Sequence, residues 1–505
     1  MQFTLLARSF AVFVSLSLIF ARCGTRQEKE SGFFHYNESS GIASLDPAFA
    51  KNQSIMWAVH QLYNTLTEVD EYLEIKPSLA KSWRVSADGL TYTFSLRDDV
   101  YFHDDACFPN GKGRKMVAAD VVYSFNRIID PATASSGAWI FNDRVLKQGG
   151  FTAINDSTFR LVLAKPFPPI LGILSMQYCS VVPEEALNHY GAGFRAHPVG
   201  TGPFRFVAME EGQSLILRRQ EKYFEFDSTG RRLPILAGVK VSFFDSKATE
   251  FLLFRQGKLQ FVNDIDASFK DEVLSKRGEL RADWEGKIRL SKYPYLNTEY
   301  LGILVDSANP LVIASPLRLR AVRQAINYGF DRRKMMLYLR NSIGTAAESG
   351  FVPAGLPSFD SVQVKGYHYD PVKARQLLTE AGFPNGNGLG EIKLLTIPIY
   401  AELASYIARE LEELGLNVKV EVVQKSLLLE QTAQSQALFF RGSWIADYPD
   451  AENYLSVFYS HNPAPPNYTR YSNKDFDALY EQSLLETNDS ARFSLYREMD
   501  KILLS

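Results

Sequence analysis

The sequence predicts an α/β protein built as two lobes, and three observations predict it. Val239 to Val262 and Ile392 to Val423 each read strand, helix, glycine, strand, a βαβ grammar that requires a parallel crossover. Between the start of the chain and the first of these, Ser78 to Leu163 carries alternating apolar residues around turns, the pattern of hairpins. The chain has 505 residues, 46% of them apolar, enough for more than one sizeable core.

From the beginning, residues 1–22 read as a signal peptide. Arg8 supplies the positive end, and the apolar run Phe10 to Phe20 is too short to span a bilayer. Cys23 stands where a lipid-modified cysteine would follow, although Phe20, Ala21 and Arg22 depart from the usual residues before such a site. Residues 23–30 form a polar tether. No later stretch is apolar for long enough to cross a membrane. Lys plus Arg (55) and Asp plus Glu (57) nearly balance, so nothing in the charge points to nucleic acid or an acidic membrane surface as partner. Cys107 and Cys179 are the remaining cysteines, read as two buried thiols, with a bridge as the alternative in an oxidising compartment.

Phe33 to Asn37 is a predicted strand, followed by the polar turn Glu38, Ser39, Ser40, Gly41. A helix is expected over Gln53 to Asn64. Tyr92, Phe94 and Leu96 alternate against Thr91, Thr93 and Ser95, a strand with one buried face. Val117, Val121, Val122, Phe125, Ile128 and Ile129 recur at helical spacing until Asp130-Pro131. Phe151 to Leu163 is a hairpin about Asn155-Asp156, and Pro203 to Ala208 with Leu215 to Arg219 another, closed by Glu211-Gly212. His103, Asp104 and Asp105 lack metal-ligand spacing and read as turn residues, so no metal or other cofactor is expected.

The second lobe repeats the grammar. Val322, Ala325, Ile326 and Gly329 make one helix stripe, Asp331 caps the next helix, and Asp370-Pro371 opens a helix that Gly382 ends. The run NGNGLG from Asn385 to Gly390 precedes a strand, so it is a turn rather than a phosphate loop. Lys474 to Leu485 and Ser490 to Leu504 are helical. Phe439 to Leu455 (FFRGSWIADYPDAENYL) starts as a buried strand and breaks at Pro449, with Asp447 set among Trp444, Tyr448 and Tyr454. A carboxylate so placed is costly without a cation. Arg441, six residues earlier, would share its face in an extended chain, so that a short zwitterion could lie between them. The alternative is that Asp447 caps a helix or joins a structural ion pair while Arg441 is a surface cation.

Seven stretches in order carry a resemblance: Ser44 to Pro47 (SLDP), Leu79 to Leu96 (LAKSWRVSADGLTYTFSL), Phe102 to Asp104 (FHD), Asp120 to Arg127 (DVVYSFNR), Val199 to Phe204 (VGTGPF), Arg320 to Tyr328 (RAVRQAINY), and the segment ending Ala446, Asp447, Tyr448. Together they resemble the extracytoplasmic solute-binding proteins of ABC-type peptide importers, the oligopeptide- and dipeptide-binding family 5. The resemblance implies a two-lobed periplasmic-binding-protein fold (class II, Venus-flytrap) with an extra subdomain inserted in lobe I. Lobe I would be residues 31–67 and 192–293, the insert 68–191, and lobe II 294–480. Residues 481–505 would turn back toward lobe I and stop short of the family's usual return strand.

It also implies function: a clamp without catalysis, which closes on a short peptide in the interlobe cleft and delivers it to a permease and its ATPase subunits. Asp447 would take the ligand ammonium, Arg441 a ligand carboxylate, and Trp444 and Tyr448 would wall side-chain pockets. Glu38, Ser39, Ser40 and Gly41 would touch the ligand backbone. The protein would be a monomer in the periplasm or cell envelope, held to a membrane through Cys23. A non-peptide solute, such as a metal chelate or oligosaccharide, is the alternative. A secreted peptidase is more distant, because no GxSxG elbow or zinc motif is present.

Overall fold

A computed structural model describes residues 32–39, 41–263 and 265–505. Cys23, the leader and Ser40 lie outside the described residues. The described residues divide into two compact units: one of those up to 64 together with 97–137 and those between 180 and 266, the other of 65–96, 138–179 and 267–505. Compactness therefore divides the expected insert 68–191 between the two units.

The first unit is built on a four-stranded sheet in the order Phe33–Asn37, Gly238–Ser242, Ser214–Arg219, Phe204–Glu210. The first pair is parallel and the other two are antiparallel. Leu215, Leu217, Val239 and Val241 point to the core at period two. The expected closing strand over 259–262 does not form. Gln260 gives its N–H to the His35 carbonyl at 2.9 Å, but the Gln260 side chain takes the His35 N–H at 2.7 Å, so the ladder stops there. The parallel pairing comes instead from Phe33–Asn37 beside Gly238–Ser242.

The motif stretches of this unit hold one another. Asp46 of SLDP accepts both Arg127 nitrogens, at 2.8 and 2.5 Å, and also caps Ala48 N at 3.0 Å. Asp46 is 3% exposed, so removing either partner would strand a buried charge. Gly200 and Gly202 press on the Leu62–Tyr63 backbone. A Cβ on Gly202 would lie 2.4 Å from Leu62 C, and its N–H bonds Leu62 O. His103 bonds Gly202 O at 2.9 Å, and burial lowers its pKa to about 4, so it is a neutral structural imidazole.

In the second unit, Ala80–Val85, Thr91–Leu96, Thr158–Val162 and Phe151–Asn155 form an antiparallel sheet in that order. Tyr92, Phe94 and Leu96 are buried, as the alternation predicts. A second sheet orders Asn297–Ile303, Phe439–Ile445, Glu391–Thr396 and Asn417–Val422. Its last two strands are parallel and joined by the helix Ala401–Glu412, the predicted βαβ. Helices Arg320–Tyr328 and Pro371–Glu380 pack with it around Val322, Ala325, Ile326, Leu378, Leu394 and Phe439. Asp370 accepts Lys373 N at 2.9 Å with Pro371 at the first position, and Asp331 caps Lys334 N. The 385–390 run is a turn. Gly386 and Gly415 have φ of +76° and +89°, and each backbone comes so close to the other's loop that a Cβ would lie 2.0 Å or less from a carbonyl oxygen.

Helices Lys474–Leu485 and Asp489–Leu504 enclose a further core with Val352, Leu356, Tyr454 and Tyr480. Asp500 is buried there at 3% exposure and accepts Phe351 N at 2.7 Å and Val352 N at 3.3 Å. Burial outweighs these two bonds and lifts its pKa from 3.8 to about 6. A raised folded-state pKa means that the carboxyl favours folding below its unfolded value, and that this contribution is lost as pH rises through about 6. Wild type should therefore gain stability over Asp500→Asn when pH falls from 7.5 to 5, read as the difference between their melting temperatures. Parallel melting curves across that range would contradict the assignment.

Candidate functional site

The strand Phe439–Ile445 pairs antiparallel with Asn297–Ile303 and touches the parallel strand Glu391–Thr396 through Phe440 opposite Leu395. Phe439 and Phe440 are both buried, one in each of two cores flanking the sheet, so this strand is fixed on both faces. Beyond Ile445 the chain turns, and Asp447 is not on the strand. The extended spacing that would put Arg441 and Asp447 on one face therefore does not hold. Asp447 starts no helix either, since the short helix Glu452–Leu455 is entered from Ala451.

Asn453 organises the turn. Its Oδ1 accepts Trp444 Nε1 at 2.9 Å and Asp447 N at 3.1 Å, while its Nδ2 donates to Asp447 Oδ2 at 3.2 Å. Asp447 itself reaches solvent, yet surrounding protein raises its pKa by desolvation, with Asn453 opposing. Among the described residues no cation forms an ion pair with it. The neighbouring acids differ. Asp450 meets Arg492 at 3.3 Å, and Glu452, 2% exposed, accepts the phenol hydroxyls of Tyr448 and Tyr480 on its two oxygens.

Tyr448 is 4% exposed, with its ring edge-on to Phe167 at 6.5 Å. Trp444 packs on the core that contains Tyr454 and Tyr480. In this structure both rings support the turn, and a ligand would find no free face of Tyr448. Arg441 is engaged as well: it ion-pairs with Glu299 and lies 3.6 Å from the Tyr400 ring centroid.

In the other unit, Glu38 N donates to Ser242 O at 2.9 Å, and half-buried Glu38 and Ser39 lead to Gly41 at φ +65°. The turn is set by Asn37, which bonds Phe244 N, Phe244 O and buried Glu250. Cys107 is half-buried and Cys179 fully buried, and both are free thiols. Burial pushes Cys107 up to about 12. Among the described residues no cluster of three or more His, Cys, Asp or Glu could hold a metal ion.

The sequence reasoning missed Asn453, Glu452, Glu299 and Tyr400. Glu452 and Asn453 had a signal, a polar pair inside an apolar segment. Glu299 and Tyr400 had none, because their contacts to Arg441 cross long stretches of chain.

Residues 74–466 match the profile of the bacterial extracellular solute-binding proteins, family 5 Middle, and the chain belongs to that family. It is 28% identical to heme-binding protein A of Haemophilus influenzae, over 88% of this chain and 80% of that one. It is 26% identical to the glutathione-binding protein GsiB of Shigella dysenteriae, over 92% and 85%. The fold matches that of the periplasmic binding protein DppA of Helicobacter pylori in complex with the peptide STSA, with TM-score 0.73, 24% identity, and 94% and 90% of the two chains covered. The two-lobed α/β solute-binding fold expected from the sequence is thus the fold of this protein. Family 5 proteins are the extracytoplasmic solute-binding components of ABC importers, and the relatives named here are binding proteins rather than enzymes. No helix among the described residues is long and apolar enough to cross a membrane.

Proposed function

We propose that this protein captures short peptides outside the cytoplasmic membrane and hands them to a permease driven by ATPase subunits, with Asp447 as the anchor for the ligand's ammonium group. One observation carries the reading: Asp447 is a solvent-reaching carboxylate, held by one bond from Asn453 Nδ2 and by its own backbone N–H on Asn453 Oδ1, with no ion-pair partner among the described residues. A primary ammonium supplies three donors and the missing charge in a charge-assisted bond. The relatives named for glutathione, a modified tripeptide, and the neighbour in complex with STSA support a peptide-like ligand. Backbone pairing with an extended ligand would supply further affinity with little side-chain preference. Cys23, lipid-modified, would hold the monomer to a membrane.

A second reading, a non-peptide solute, draws on the relative named for heme. Mass spectrometry of the protein as purified separates the two. Under native conditions a retained ligand should appear as a ladder of peptide masses on a monomer. After denaturation the N-terminus should carry the mass of lipid on Cys23. A single non-peptide mass would overturn the peptide reading, and an unmodified N-terminus the anchor. Cleavage products after incubation with a peptide mixture would point to a peptidase instead.

A further inference from the structure

Arg441 and Glu299 face each other across the strand pair. Leu301 stands opposite Arg441 and Glu299 opposite Ser443, which puts 299 and 441 diagonally on one face. Arg441 Nη2 pairs with Glu299 Oε2. The other Glu299 oxygen accepts Asn297 Nδ2 at 2.7 Å and the Tyr400 hydroxyl at 3.1 Å. The guanidinium rests on the Tyr400 ring at 3.6 Å, and Arg340 lies over the same ring at 5.6 Å. Glu299 is thus held by three donors, and the side chain of Arg441 is only 15% exposed.

A guanidinium in this setting already has its anion. A ligand carboxylate brought to it would either displace Glu299, breaking three bonds, or sit beside it as a second negative charge on a guanidinium that already holds one. Like charges at that separation oppose binding. We infer that Glu299 is a specificity residue that fills the place of a ligand carboxylate, so that the protein selects peptides presenting no carboxylate to Arg441. Such a ligand has a neutral end there, an amide or a continuing chain. The inference rests on the peptide reading above.

The test uses tri- to penta-alanines, each as free acid and as C-terminal amide, titrated calorimetrically into the full chain. Wild type should bind the amide at least as tightly as the acid. Glu299→Gln keeps the side-chain shape and removes the charge, and should shift the preference toward the acid by tenfold or more. Adding Arg441→Gln to it should abolish that shift. A wild-type preference for the acid of tenfold or more, or an acid-to-amide ratio unchanged in Glu299→Gln, would overturn the inference and leave the peptide reading intact. Binding of neither form by either protein would overturn both. Melting curves of each variant confirm that the comparison is made on folded protein.

Discussion

Asp447→Ala should lose peptide affinity by roughly 30-fold to several thousand-fold while the protein stays folded. The loss is about 2 to 5 kcal/mol, the size seen when one partner of a desolvated charge pair is truncated and the other is left unpaired, at about 1.4 kcal/mol per tenfold. Folding should tolerate the change, because the Asp447 carboxylate reaches solvent and its bond to Asn453 Nδ2 is one the amide can replace with water. The turn's other anchors, Asp447 N on Asn453 and Trp444 on Asn453, use no atom of the removed side chain. N-acetylating the peptide removes the same charge from the other side. It should weaken wild-type binding and add little further loss in Asp447→Ala, the non-additivity that marks a direct pair. Calorimetry on the four combinations decides this, and full additivity, or wild-type affinity for the acetylated peptide, would return Asp447 to a purely structural role.

Most of the fold that was legible rested on local signals. The alternation at 91–96, the stripe Val322, Ala325, Ile326 and the cap Asp370-Pro371 each act within a few residues, and the structure holds them where the pattern put them. The closing strand after Gly257 was misread because its residues do suit a strand, and the side chain of Gln260 took the bond that a ladder needs. The site was legible only in part. Asp447 could be picked out as an unusual carboxylate in an apolar segment. That Arg441 is already neutralised could not, since Glu299 lies 142 residues away and nothing in either local pattern marks the pair. Tyr448 shows the same limit from another side: the family resemblance implied a pocket wall, and its burial follows from Phe167, Glu452 and Tyr480, which only the tertiary fold assembles.

Glu452→Ala should unfold more easily than wild type by about 2 to 5 kcal/mol, the larger end of single-residue effects. The carboxylate is 2% exposed and takes one phenol hydroxyl on each oxygen, so its removal leaves Tyr448 and Tyr480 with buried donors and a cavity beside them. An unsatisfied buried group costs about 1 to 3 kcal/mol, and here there are two. Replacing only the tyrosines sharpens the test. Tyr448→Phe and Tyr480→Phe each remove one donor, and together they leave Glu452 with neither. Because burial already raises the Glu452 pKa and the two tyrosine bonds oppose that rise, the double variant should lose stability more steeply than wild type as pH rises. Replacing all three, with Leu at 452, removes donors and acceptor together and should recover much of the loss, since an apolar set of similar shape leaves nothing unpaired. Glu452 also sets the path of the chain between Tyr448 and Asn453, on which the orientation of Asp447 depends. Peptide affinity should therefore fall in Glu452→Ala below its melting temperature, and adding Asp447→Ala should weaken it little more. Thermal unfolding and calorimetry on this series measure both effects. A Glu452→Ala protein within about 0.5 kcal/mol of wild type, the range of ordinary surface changes, would mean that the two tyrosines find other acceptors and that the turn is held by Asn453 alone.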